Sequence, residues 1–273
     1  MMRWPQRLMR YAKPLLAKFM CSSAIGALIA SFLRNRIRNR GIVIDTSPSA
    51  FTSVVKAQLA FGIYESAEIR FIRKYLKGYS RVLELGASLG VTAAHILDVV
   101  APGAEVVCVE ANPNLLATLR ATTATAAEKT RAKVRIIHGA VHPDPHVRSP
   151  TVALTLGQSH LASRVGSAGP SDPGQQLRVP TIDLAEVARD WTDYALVCDI
   201  EGAEAGLILS AQPVLTGASR LVIELHETAN AGAAVTVADL RKALLSMGFI
   251  PIEERGGVLV LDGPTGAGAK HQE

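Results

Sequence analysis

The stretch Arg81-Val82-Leu83-Glu84-Leu85-Gly86-Ala87-Ser88-Leu89-Gly90 decides the fold. A short strand-forming run carries a carboxylate two positions before a glycine, and a second glycine follows at Gly90. The segment Val91 to Val100 then has the apolar pattern of a helix. Strand, glycine-bearing turn and helix in that order make the first half of a βαβ unit, with the turn at the ligand-binding end of a sheet.

Outward from this stretch the same alternation continues. Glu105 to Glu110 reads as a second strand, Pro113 to Glu128 as a helix and Lys133 to His138 as a third strand. Further strands are expected at Tyr194–Asp199, Arg220–Glu224, Phe249–Glu253 and Gly257–Leu261. Continuous apolar runs separated by helices indicate a parallel sheet covered on both faces. Right-handed crossovers make this a doubly wound, Rossmann-like α/β domain. Only Glu254-Arg255-Gly256 joins the last two runs, which permits an antiparallel hairpin and no parallel crossover. A mostly parallel sheet with an antiparallel C-terminal hairpin is therefore expected.

Between His142 and Pro180 the alternation breaks. Val147 to Leu156 reads as an extra strand, and Gly166 to Gly174 is rich in Gly, Pro and Ser. This insertion (about residues 142–180) is open to two readings, a substrate lid and a mobile surface loop. Residues 46–262 are assigned to the catalytic domain, 1–45 to a helical extension and 263–273 to a flexible tail.

The net charge of +5 is unevenly spread. Nine Arg or Lys residues lie in the first 40 positions with no acid among them, leaving 20 basic against 24 acidic residues elsewhere. Basicity thus belongs to the extension, and no nucleic-acid partner is expected of the body. Phe19 to Leu33 is mostly apolar but short for a membrane span. It has the charged start and apolar centre of a signal peptide, yet Arg34 to Arg40 would oppose translocation. Residues 1–40 are read as a docked helix, with peripheral membrane contact as the alternative. Cys21, Cys108 and Cys198 have no CxxC spacing, and the last two fall in strand runs as small buried hydrophobes of a reducing compartment. A cytoplasmic location follows, with the inner face of the membrane as the surface available to the extension. The oligomeric state is not legible.

The loop spacing is Glu84-x-Gly86-x-x-x-Gly90. A dinucleotide site wants G-x-G-x-x-G, and Ser88 stands where its second glycine belongs. Glu84 would repel a pyrophosphate but suits the ammonium group of S-adenosyl-L-methionine, directly or through a water. Glu110, ending the second strand, can accept both ribose hydroxyls. A cofactor site of Glu84, Gly86, Ala87, Ser88, Gly90 and Glu110 is the expectation, with Asn112 and Ala140 bounding the adenine. Tyr64 and Glu65 precede a helix read from Glu65 to Leu76, and either fold over the cofactor or serve as an ordinary helix start.

With these residues placed, the chain resembles the FkbM family of methyltransferases over roughly residues 60 to 260. The resemblance rests on Gly62-Ile63-Tyr64-Glu65, Val82 to Gly90, Val109-Glu110-Ala111-Asn112-Pro113, Gly139-Ala140-Val141, Val179-Pro180-Thr181-Ile182-Asp183, Asp199-Ile200-Glu201-Gly202-Ala203-Glu204 and Ile223-Glu224-Leu225-His226. The family usually has Asp-x-Gly-Ala-Asn at the loop, where this chain has Glu84 and Ser88. The resemblance implies a class-I methyltransferase fold, S-adenosyl-L-methionine as donor with Ala111 and Asp199 added to its site, and O-methylation of a sugar, glycolipid or natural-product hydroxyl.

Methyl transfer to an alcohol is an in-line displacement that needs an aligned oxygen and a proton acceptor. Asp199, Glu201 and His226 are the candidates. Asp199 would contact cofactor or acceptor, and Glu201 or His226 would take the proton. If the strand ran on through Glu201, Asp199 and Glu201 would point to opposite faces. The structural alternative is that Asp199 and Glu201 cap the next helix. No metal is demanded by this set, and none is expected. His160, within the insertion, is a further candidate for the acceptor side. The competing functional class is a non-catalytic Rossmann-like module binding a nucleotide or a partner; the two acidic blocks argue against it.

Overall fold

A computed structural model describes residues 20–142, 149–157, 163–165, 175–230 and 233–264. His160 and most of the tail assigned to 263–273 lie outside the described residues. The chain divides into two compact units, Met1–Ser66 and Ala67–Glu273.

In the N-terminal unit, α1 (Ser23–Phe32) starts at Ser22, whose hydroxyl accepts the Ile25 amide. Strands β1 (Arg36–Asn39) and β2 (Ile42–Asp45) pair antiparallel, and α2 (Ser53–Ala60) begins at the Thr52 cap. The helices meet closely at Gly26, where a Cβ would stand 1.6 Å from the Ser53 carbonyl oxygen. A helical extension was the expectation for residues 1–45; a hairpin occupies 36–45 instead. Its cause is a period of two, with Ile37 and Ile44 buried and Arg36 and Arg38 exposed. The compact unit also runs on to Ser66. Among the described residues no helix is long and apolar enough to cross a membrane.

The second unit is built on a seven-stranded sheet. Its strands are β3 (Arg81–Leu85), β4 (Glu105–Glu110), β5 (Lys133–His138), β9 (Ala195–Cys198), β10 (Arg220–Glu224), β13 (Ile250–Arg255) and β14 (Val258–Asp262), in the order β13-β14-β10-β9-β3-β4-β5. Pairs from β5 to β10 are parallel; β14 is antiparallel to both β10 and β13. The hairpin turn uses Gly256 and Gly257, both at positive φ. The expected doubly wound sheet with an antiparallel hairpin is what forms, and it is the class-I methyltransferase architecture.

Each central strand buries alternate residues on opposite faces. Leu83, Val107, Leu196, Leu221 and Leu259 enter one core, while Val82, Val106, Val197, Val222 and Val260 enter the other. Helices α3 (Ser66–Tyr75) and α4 (Val91–Val99) pack on the second of these. Cys108 and Cys198 are fully buried free thiols within β4 and β9. Chain order runs from β3 outward to β5, then returns to β9 on the other side, so the order of strand addition reverses between the parallel neighbours β3 and β9. Ligand sites of open α/β sheets lie at the carboxyl ends of such strands.

The insertion carries β6 (Thr151–Leu156), β7 (Ser163–Val165) and β8 (Gln175–Pro180), forming a separate antiparallel sheet with β6 in the middle. Its return is fixed to the end of β5. The Ala140 amide donates to the Pro180 carbonyl and the Ile182 amide to that of Ala140.

Candidate active site

The loop after β3 is held from behind. The amides of Gly86 and Ala87 both donate to the Val109 carbonyl at 3.0 Å, and Gly90 donates to Ala87. Gly86, Ser88 and Gly90 all have positive φ, which glycine adopts freely and serine does not. Close packing within the protein accounts for both glycines. A Cβ on Gly86 would sit 1.8 Å from the Asp199 carbonyl oxygen, and one on Gly90 2.9 Å from Leu119 Cδ1. The loop is glycine-rich because protein backbone and core press on it; the Asp199 amide also donates to Leu85.

Two buried carboxylates flank this loop. Glu84 is 1% exposed, and its Oε1 accepts the Thr92 hydroxyl at 2.5 Å. Among the described residues no N–H or O–H donor reaches Oε2, which is also shut off from solvent. Burial pushes the Glu84 pKa up to about 7, with the Thr92 hydroxyl and Cys108 thiol offsetting part of the rise. Glu110 joins the loop to the segment after β4: Oε2 accepts the Ser88 amide at 2.7 Å and Oε1 the Asn112 amide at 2.6 Å. Burial raises its pKa as well, against the pull of these backbone donors. A carboxylate has about four acceptor positions, so each oxygen keeps capacity for a further donor.

The other cofactor candidates are placed as follows. Asn112 is fully buried and its Oδ1 accepts the Asn114 amide, closing a turn. The Ala111 carbonyl faces His138 Nε2 at 3.2 Å. Ala140 is buried where the insertion returns, bridged to Thr181. Tyr64 and Glu65 fall in the N-terminal unit, Tyr64 buried and Glu65 at positive φ.

The acidic blocks come together at the ends of β9 and β10. Strand β9 stops at Cys198, and Glu201 and Gly202 both turn to positive φ. Strand alternation therefore does not govern where Asp199 and Glu201 point. Helix α5 (Glu204–Leu209) receives no side-chain cap from either residue. Glu204 performs the local tethering instead. It is wholly buried, with Oε1 accepting the Ile200 amide at 2.9 Å and Oε2 the Gly202 amide at 2.7 Å. The same Oε1 lies 3.2 Å from His226 Nδ1, while His226 Nε2 lies 3.9 Å from Glu201 Oε2. Asp199, Glu224 and His226 each present one atom within 4.8 Å of the others.

Charge in this cluster is set by the buried glutamate. Its hydrogen bond pushes the His226 pKa up to about 9, against burial, with Asp199 and Glu201 adding to the rise. Burial raises the Glu224 pKa, and Glu201 and Glu204 add to that while His226 opposes it. At neutral pH His226 is an imidazolium surrounded by carboxylates. Its Nδ1 is committed to Glu204, so Nε2 is the atom left to exchange protons.

Two residues of this site carry roles that the sequence reading did not assign. Thr92 bonds the loop carboxylate from the first turn of α4, and Glu204 orders the turn after β9. Glu204 stood in the Asp199–Glu204 block, but only its contact with His226, distant in the chain, shows its use. Beside the insertion, a groove of about 570 Å³ is lined by Val141, Ser149, Thr181, Asp183 and Gln212, among others.

No curated protein matches the chain significantly in sequence. Among solved structures, EvdMO1 is 15% identical, with 85% of this chain and 45% of that one covered at a TM-score of 0.44. The chain thus spans less than half the length of EvdMO1. A methyltransferase from Geobacter sulfurreducens is 14% identical, covering 95% and 96% of the two chains at a TM-score of 0.40. A putative tRNA (m1A22) methyltransferase from Streptococcus pneumoniae, in complex with S-adenosyl-L-methionine, is 13% identical over 72% of each chain at 0.39. The methyltransferase FkbM domain matches residues 84–251, from the loop carboxylate to the C-terminal hairpin. The chain belongs to the FkbM family of methyltransferases, with S-adenosyl-L-methionine as its cofactor.

Proposed function

We propose that this methyltransferase acts on oxygen, methylating a hydroxyl of a sugar, glycolipid or natural-product acceptor, with His226 as the proton acceptor. The observation that carries this reading is the buried Glu204 carboxylate on His226 Nδ1. A carboxylate that fixes the tautomer of a histidine at the carboxyl end of a strand is an arrangement for proton transfer.

S-adenosyl-L-methionine, when bound, supplies an electrophilic methyl group on a sulfonium. The residues around the loop fit it. Buried Oε2 of Glu84 receives no N–H or O–H donor from the described residues, and the amino group of the methionine moiety would supply one, directly or through a water. The spare acceptor capacity of Glu110 suits the two ribose hydroxyls. Asn112 and Ala140 shape the adenine side by their backbone turns.

Asp199, held next to Gly86, orients the acceptor or the donor. His226 in its neutral form takes the hydroxyl proton at Nε2, and Glu201 stands beside that nitrogen to pass the proton onward. Because Glu204 raises the His226 pKa, the neutral imidazole is scarce at pH 7 but a strong base when present. Replacing a general base costs about 10²–10⁴-fold in rate.

The test is a screen of glycan, glycolipid and polyketide hydroxyl acceptors with methyl-labelled donor, alongside calorimetric titration of the donor. A labelled methyl ether that is lost in His226→Ala supports the reading. Donor binding with no product over the whole panel would favour the binding-module alternative. A product methylated on nitrogen or carbon would refute the assignment to oxygen.

A further inference from the structure

The N-terminal unit holds a feature that methyl transfer does not use. Helix α1 turns Gly26 and Ala30 inward and is closed off on that side by α2. Ile25 and Ile29 are half-buried, but Leu28 is 71% exposed and Phe32 87%, one helical turn apart, and Leu33 next to them is 38% exposed. Large apolar side chains left this bare on neighbouring positions mark an interaction surface more often than chance exposure.

Charge begins where the apolar end stops. The chain leaves α1 through a tight turn in which the Arg34 amide donates to Ser31 and the Arg36 amide to Leu33. Arg34, Arg36 and Arg38 are exposed, the last two on one face of the hairpin with Val43, itself 40% exposed and directly across from Arg38. Asp45, opposite Arg36, is the first acidic residue of the chain. Arg40 is turned instead to the carbonyls of Gly62 and Ser66.

We infer that the exposed end of α1 and the arginines of the following turn and hairpin dock on an anionic membrane surface. The chemistry matches both halves of such a surface. Arginines meet lipid phosphates, and Leu28, Phe32 and Leu33 enter the boundary between headgroups and acyl chains. Nucleic acid would satisfy the arginines and leave the two leucines without a partner. This surface is independent of the proposed reaction and would bring the enzyme to an acceptor held at a lipid interface.

Flotation of the full chain with phosphatidylcholine vesicles, with and without phosphatidylglycerol, tests the inference. Binding is expected only where the anionic lipid is present, and it should fall as salt is raised. Neutralising three arginines (Arg34→Gln, Arg36→Gln and Arg38→Gln together) should lower partitioning about a hundredfold, on the order of fivefold for each charge. Leu28→Ser with Phe32→Ser should lower it about tenfold or more. Circular dichroism melts and donor titration should be unchanged in both variants, so that lost flotation is not lost folding. Failure of the unaltered chain to float with anionic vesicles would overturn the inference. So would variants that float as well as the unaltered chain while deletion of residues 1–19 abolishes flotation.

Discussion

Glu204 Oε1 lies 3.2 Å from His226 Nδ1 and also accepts the Ile200 amide, so one buried carboxylate oxygen serves both the turn after β9 and the histidine after β10. The acidic turn and the imidazole ring are thereby held as a single piece. Glu204→Gln keeps the size and an acceptor oxygen but removes the charge that stabilises the imidazolium. The pH limb of kcat/KM should then move. In the unaltered enzyme kcat/KM should rise with pH until about 9 if His226 is the proton acceptor, because only the neutral ring accepts a proton. In Glu204→Gln the rise should level off at lower pH, with a lower plateau from the weaker base. A profile that stays in place would remove His226 from the proton path and leave Glu201 as the acceptor.

Donor affinity should depend on pH through Glu84. Its pKa of about 7 is raised by burial, and a bound cation requires the ionised form. Below pH 7 binding must therefore release a proton, so affinity should fall as pH drops from 7 towards 5, approaching about tenfold per pH unit. Above 7 this contribution is flat. Calorimetry in buffers of different ionisation enthalpy reads the released proton directly. Glu84→Gln should bind weakly and lose this dependence; retention of the pH slope would refute the role given to Glu84.

Gly86→Ala should be among the most damaging single substitutions in the second unit. The added methyl would lie 1.8 Å from the Asp199 carbonyl, on a residue with φ of +87°. Neither loop can retreat without breaking the Asp199 amide bond to Leu85 or those to the Val109 carbonyl. A loss of about 3 kcal/mol or more is expected, read in denaturant unfolding. Gly90→Ala meets the movable end of Leu119 and should cost less. Equal, small losses for both would show that the loops are not locked together.

Chelation should leave turnover intact. Asp199, Glu224 and His226 are close enough to share a cation, but a charged His226 committed to Glu204 opposes one. Activity abolished by chelator and restored by magnesium would turn this cluster into a metal centre and displace the acid–base role.

The sheet was legible because its central strands β3, β4, β9, β10 and β14 are mostly apolar runs, and burial on both faces is what such runs require. The loop was legible from its carboxylate and glycine spacing. The approach of the Asp199 backbone to Gly86 was not, because it arises only when β3 and β9 lie side by side. Glu204 was not legible as an organiser, since a glutamate in a first helical turn reads as dipole compensation. Its hydrogen bond to His226 arises only when β9 and β10 lie side by side. The hairpin at 36–45 was hidden because its strands are only four residues long, and Arg36 and Arg38 alternate with the few apolar positions that turn inward. In the insertion one strand of three was read; the outer strands are short or polar and gain their order from β6.

The return of the insertion beside Ala140 gives the molecule a property separate from catalysis. The excursion departs after the end of β5 and is pinned back there by Ala140, Pro180 and Ile182, with the Thr181 amide tied to Pro150 across its own base. Closed at its root, it resembles a cassette: its contents can lengthen, shrink or be exchanged without shifting a strand of the main sheet. Variation can thus be confined to one surface element while the frame around the glycine loop stays unaltered.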